Sequence, residues 1–165
     1  MKMKQLGLTL AFCVCILLPA GLHAQAKVES EAAVVKFALA EENPLKVGGT
    51  TQLLVEATPK RGWHVYSANP SDDGAYQPAI LGWEVSSRGF EATPKLDEKG
   101  AMTSQFDEIM NGVVRYYKGA VTFSQEVKLT EEEVALVGYF DYMACNEEKC
   151  IPLTAEFKLE AKAKK

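Results

Sequence analysis

A single-domain, all-β antiparallel sandwich is predicted for this 165-residue chain. Three observations carry the prediction. Short apolar runs alternate with period two from residue 34 onward, turn residues punctuate them at regular intervals, and no segment holds a helical period for three turns. Val35, Phe37 and Leu39 alternate in one run, Leu53 and Val55 in the next, and Trp63 and Val65 alternate with His64 and Tyr66. Further strands are expected in Ile80–Ser86, Ala120–Leu129, Val134–Ala144 and Ile151–Glu160. Between them stand Asn43-Pro44, Gly48-Gly49, Pro59–Gly62, Asn69–Gly74, Lys99-Gly100 and Asn111-Gly112, the residue types that turns require. Seven or so strands at such spacing build a sandwich. Glu131–Leu136 has room for one helical turn, Trp63 and Trp83 are expected in the core, and Ala161–Lys165 is expected to fray.

The first 26 residues read differently. Lys2 and Lys4 precede a nearly unbroken apolar stretch, Leu6–Leu22, and small residues follow at Ala24 and Ala26. That is the layout of a secretory signal peptide cleaved after Ala24 or Ala26, and Pro19 and Gly21 disfavour a retained spanning helix. Neither Cys13 nor Cys15 follows the small residue that lipid attachment needs. The expected mature domain is then 27–165. Of 18 basic residues two leave with the signal, against 22 acidic ones that stay, which sets its net charge at −6. An acidic domain without a basic cluster is a poor match for nucleic acid or an anionic membrane surface. The expected location is the periplasm, an oxidising compartment where disulfides persist.

Only Cys145 and Cys150 remain in that domain. If the strands flanking Asn146–Lys149 pair so that Cys145 faces Cys150, then Ala144 faces Ile151, Tyr142 faces Leu153, Phe140 faces Ala155 and Leu136 faces Leu159. This face is apolar throughout. Strict alternation puts both cysteines on the opposite, mixed face, which predicts a displayed pair at a separation a disulfide can bridge. Two readings of that pair stay open. A structural staple closing so short a loop contributes about 2 kcal/mol. A redox centre needs a sulfur that a partner's thiolate can reach. The spacing of four excludes the thioredoxin C-x-x-C motif. A metal site is weaker: zinc needs four ligands and the domain keeps one histidine, His64, although a soft Cu(I) site from Cys145, Cys150 and Met143 is conceivable. One histidine and no nucleophile elbow, phosphate loop or dinucleotide fingerprint leave hydrolase and nucleotide chemistry without support. No cofactor is expected.

Three segments together resemble a known family. Tyr142–Pro152 (YMACNEEKCIP), Gly62–Ser67 (GWHVYS) and Phe106–Gly112 (FDEIMNG) are similar to the N-terminal periplasmic domain of the transmembrane thiol:disulfide interchange protein DsbD, over roughly Val34–Leu159. The resemblance implies an immunoglobulin-like sandwich whose cysteine pair relays reducing equivalents to periplasmic thioredoxin-like proteins, including those of cytochrome c maturation. By position, Cys150 matches the cysteine that forms the mixed disulfide and Cys145 the one that resolves it. Asp107, Glu108, Ile109 and Met110 match a cap loop over the cysteines, and His64 and Tyr66 a strand position where aromatics lie near them. The family cap carries an aromatic residue where this chain offers Ile109 or Met110, in a loop one residue longer, and some members space the cysteines by five. The sequence ends at Lys165 without the family's membrane and thioredoxin domains. The expectation is therefore a stand-alone, monomeric version whose donor is a separate membrane thiol reductase. Around the sulfurs, Glu147, Glu148, Asp107 and Glu108 are expected to disfavour a thiolate and Lys149 to favour one. The reading from another class is an immunoglobulin-like protein- or glycan-binding module with an inert bridge.

Overall fold

The computed structural model describes residues 25–40, 44–70, 76–108 and 110–165. Ten strands and no helix occur among them: β1 (Gln25–Glu29), β2 (Ala33–Leu39), β3 (Thr50–Pro59), β4 (His64–Tyr66), β5 (Ile80–Trp83), β6 (Phe90–Ala92), β7 (Asp97–Asp107), β8 (Gly112–Leu129), β9 (Glu133–Cys145) and β10 (Cys150–Lys162). The hydrogen-bonded order is β1-β2-β3-β8-β4-β9-β10, with β5 on β9 and β6 and β7 on β8. All pairings between these strands are antiparallel.

One ladder becomes two layers because β8 bends. Its second half pairs with β3 from Ala57↔Val121 to Thr50↔Lys128, while its first half pairs with β4 at Val65↔Tyr117 and Tyr66↔Tyr116. Between the halves, Lys118, Gly119 and Ala120 stand opposite the single residue Ala101 of β7, where the register shifts. Extra residues on one strand of a pair bend it and increase its twist. The bend carries β8 from the β1-β2-β3 layer into the layer of β4, β9 and β10. Between the layers lies the main core, in which Phe37, Phe123, Phe140, Leu53, Leu129, Leu136 and Leu159 are fully buried. Phe37 stacks on Phe157 with ring centroids 4.5 Å apart. Alternation explains the selection: Thr51, Leu53, Val55 and Ala57 of β3 point inward and Glu56 outward. Trp63 and Trp83 are partly buried against this core. One buried polar atom in it, Gln125 Oε1, has no hydrogen-bond partner among the described residues.

The expected strands over residues 34–66 and 134–160 are present. Four expectations need correction. Ile80–Ser86 is a strand only to Trp83, because Ser87 Oγ ends the ladder by donating to Val137 O, 2.6 Å away. Glu131–Leu136 forms no helical turn; Glu133 already opens β9, held by the whole length of β10. Ala161–Lys165 is not frayed. Ala163 is buried, Lys164 N donates to Leu45 O and Val47 N to Lys164 O, both at 2.8 Å. Lys99-Gly100 is not a turn but the middle of β7, whose backbone follows β8 from Asp97↔Ser124 to Asp107↔Gly112.

A disulfide between a tyrosine cluster and open surface

The β9–β10 hairpin adopts the register expected from the apolar pattern, from Cys145↔Cys150 to Leu136↔Leu159 and beyond. Asn146 builds its tip. The side-chain Oδ1 of Asn146 accepts from Glu148 N at 2.9 Å and Lys149 N at 2.8 Å, the local turn that asparagine favours. Asn146 N donates to Lys149 O at 2.9 Å, so the adjacent Cys145–Cys150 pair takes the narrow, non-hydrogen-bonded position. The two Cα atoms are 4.0 Å apart and the sulfurs are bonded. Lys149 ties the tip to its surroundings. Its ammonium pairs with Glu31 at 2.9 Å and lies 5.6 Å from the Trp63 ring centroid. The charge expected to favour a thiolate is thus already engaged.

The two sulfurs differ in environment. Cys150 is exposed, as expected for a displayed pair, but Cys145 is only 2% exposed. The expectation that both are displayed fails at Cys145 because β4 pairs with the other edge of β9, setting His64 opposite Cys145 and Val65 opposite Ala144. Alternation along the paired strands then sorts side chains onto two faces. Val65, Tyr117 and Ala144 enter the main core, while Tyr66, Tyr116 and Cys145 turn to the outside. There Tyr66, Tyr76, Val114, Tyr116 and Cys145 form a second buried cluster, with Met110 and Met143 partly buried against it.

His64 lies across this cluster. Its ring centroid is 4.3 Å from that of Tyr116 and 5.4 Å from that of Tyr66. Burial pushes the imidazole below its ordinary pKa of 6.5, the Lys118 ammonium adds to the drop, and the Asp107 carboxylate opposes it. Burial and the nearby Asp107 charge raise the Tyr66 phenol. The β7–β8 turn meets the cluster through Met110. Within it, Asp107 Oδ1 accepts from Met110 N at 2.9 Å and Asn111 takes the left-handed conformation at φ 51°, which asparagine tolerates. Met110 packs on the cluster from this turn, Glu108 is exposed, and Ile109 falls outside the described residues.

A further carboxylate moors the segment after β4. Glu98 accepts from Ser67 Oγ, from Ala68 N at 3.0 Å and from Asn69 Nδ2 at 3.0 Å. Burial first, and then the charge of Glu98, push the hydrogen-bonded Tyr117 phenol up to about 12. Asn69 O in turn accepts from the Tyr76 hydroxyl at 3.3 Å, which brings Tyr76 over the disulfide face. Tyr76, Tyr116 and Val114 were not among the expected site residues. Val114 and Tyr116 come to one face only when the expected strand is extended back from Ala120 to Gly112, an extension that the pairing with β4 and β7 makes and no local alternation marks; no local pattern marks Tyr76. Among the described residues no three His, Cys, Asp or Glu side chains are grouped to hold a metal ion.

Fold and site define an antiparallel β-sandwich with a disulfide at a hairpin tip, Cys145 buried and Cys150 exposed. The sequence model described as "Thiol:disulfide interchange protein DsbD, N-terminal" matches residues 25–162, and the chain belongs to that family. No curated protein matches it significantly. Among solved structures, the N-terminal periplasmic domain of ScsB from Proteus mirabilis is 14% identical with a TM-score of 0.57. The match covers 85% of this chain and 51% of that one, so the chain spans about half of that structure. The N-terminal domain of DsbD from Neisseria meningitidis, in the reduced form, is 14% identical with a TM-score of 0.43, covering 90% of this chain and 92% of that one. The GAE domain of GGA2p from Saccharomyces cerevisiae is 11% identical with a TM-score of 0.42, covering 81% and 94%.

Proposed function

We propose that this domain is a periplasmic thiol–disulfide exchange protein whose Cys145–Cys150 pair relays reducing equivalents between a membrane thiol reductase and thioredoxin-like periplasmic proteins. The observation that carries the reading is the asymmetry of the bridge: Cys150 is exposed and Cys145 is buried. The exposed Cys150 is the cysteine that a visiting thiolate attacks in this reading. That attack forms an intermolecular disulfide at Cys150, breaks the Cys145–Cys150 bond and sends the electron pair to Cys145. The partner's second thiolate then attacks its own bridged sulfur and releases Cys150. Two electrons and two protons pass to the domain, and the reverse sequence passes them to a substrate disulfide.

Family membership supports the chemistry, and the turn carrying Asp107, Glu108, Ile109 and Met110 serves as the cap that a partner displaces. Secretion through the signal in residues 1–26 is part of the reading. Cleavage after Ala24 leaves β1 whole, whereas cleavage after Ala26 removes its first two residues. The test is a redox titration of the mature domain with a trapping variant. The expected result is a poise in the range of thioredoxin-like proteins, with Cys145→Ser capturing partners from a periplasmic extract through Cys150. A bridge more reducing than about −300 mV, with nothing captured, identifies a structural staple instead.

A further inference from the structure

The buried sulfur poses a problem that the exchange reaction alone does not solve. When the bridge opens, the electron pair arrives on Cys145, which is 2% exposed among tyrosine rings. A bare thiolate in such surroundings is costly, because burial disfavours the charged form. Closing the bridge needs that same thiolate again, since the thiol is a poor nucleophile. Cys145 therefore has to gain a proton on opening and lose it on closing, with little access to water.

The geometry points to His64 as the group that exchanges this proton, an inference that rests on the redox reading of the bridge. His64 is the direct cross-strand neighbour of Cys145. Facing residues share a face, with Cβ atoms roughly 4.5–5.5 Å apart, within reach of an imidazole to a sulfur. The ring is fixed in place by Tyr116 at 4.3 Å and Tyr66 at 5.4 Å. Among the described residues, polar groups around it include the phenols of Tyr66 and Tyr116, the carboxylate of Asp107 from the cap turn and the ammonium of Lys118 from β8. Of these side-chain types, imidazole is the one whose ordinary proton exchange falls in the physiological range. Half-buried among rings, His64 favours its neutral, proton-accepting form near neutrality.

On opening, a partner's thiolate bonds to Cys150 Sγ and the Cys145–Cys150 bond breaks; His64 takes a proton from solvent, and the imidazolium so formed passes it to the Cys145 thiolate, which returns His64 to its neutral form. On closing, neutral His64 takes the Cys145 proton, and the thiolate attacks Cys150 Sγ. The bond from Cys150 to the partner breaks and the partner leaves as thiolate. His64 then releases its proton.

The closing step can be watched alone. The reduced mature domain is treated with an aromatic disulfide reagent that labels Cys150 and frees one coloured thiolate. Attack by Cys145 then frees a second, whose rate is followed from pH 5 to 9. With the wild-type residue, the rate is expected to show an inflexion below pH 6.5 in addition to the thiol's own. His64→Phe and His64→Gln are each expected to slow the second release at pH 7 by roughly 10²-fold and to abolish the lower inflexion. Attack by added dithiothreitol on the same label should not change. Closure by both variants at the wild-type rate with the wild-type profile overturns the role of His64 while leaving the bridge redox-active. Failure of the unaltered domain to release the second thiolate overturns the redox reading itself. If a variant misfolds, as judged by its circular dichroism, the other decides. A wild-type profile with no inflexion below pH 6.5 overturns the proposal without either.

Discussion

The same three strands, β4, β8 and β9, build two clusters of opposite character. Toward the sandwich interior, Val65, Tyr117, Phe140, Tyr142 and Ala144 join a large core drawn from nearly every strand. Toward the outside, Tyr66, Tyr116 and Cys145 meet Tyr76, Val114, Met110 and Met143 in a small cluster made of phenols and sulfur, closed by a turn. The interior cluster is large and mostly hydrocarbon, which is what burial stabilises best. The outer one is small, polar at its edges and lined by methionines, which repack easily. One residue's shift along any of these strands separates the side chains that hold the fold from those that surround the chemistry.

If the two clusters divide labour in this way, substitutions should separate stability from exchange. The largest effect is expected inside. Phe140→Ala removes a fully buried ring in contact range of Phe123 and Tyr142 and should lower unfolding free energy by about 3–5 kcal/mol in a denaturant titration, with exchange lost only as folding is lost. Next comes the bridge. Replacing both Cys145 and Cys150 by serine should cost only about 2 kcal/mol while abolishing thiol exchange entirely; a loss as large as that of Phe140→Ala would make the bridge a staple and erase the division. The smallest stability change is expected at the cap. Met110→Ala should cost about 1 kcal/mol or less, as a partly buried surface residue does, yet speed reduction of the bridge by dithiothreitol several-fold. An unchanged reduction rate would show that the turn does not shield the sulfurs.

Much of the interior half was legible in the sequence. Period-two alternation located β2, β3, β9 and β10, and the single register that buries Phe140, Leu136, Phe157 and Leu159 also set Cys145 against Cys150. What alternation cannot show is a strand with few buried side chains. β7 reads DEKGAMTSQFD, mostly exposed, and is a strand because its backbone pairs with β8. The first half of β8 was hidden for a related reason: Tyr116 and Tyr117 are buried on opposite faces, so no alternation of polar and apolar residues marks it. Missing that half concealed Val114, Tyr116 and the neighbour that covers Cys145. The burial of Cys145 was equally beyond a hairpin argument, since it depends on β4, a three-residue strand from 80 residues earlier in the chain. The mooring by Glu98 joins residues about 30 positions apart and leaves no local pattern at all.

The hairpin tip has anchors that do not involve sulfur. Asn146 holds the turn through two backbone amides, and Lys149 reaches Glu31 and Trp63 on the far side. None of those contacts passes through the bridge, so under the proposed relay the tip is expected to keep its outline whether the bridge is open or closed. Visitors that deliver electrons and visitors that collect them would then meet one and the same contour, and the oxidation state alone would decide which of them departs changed.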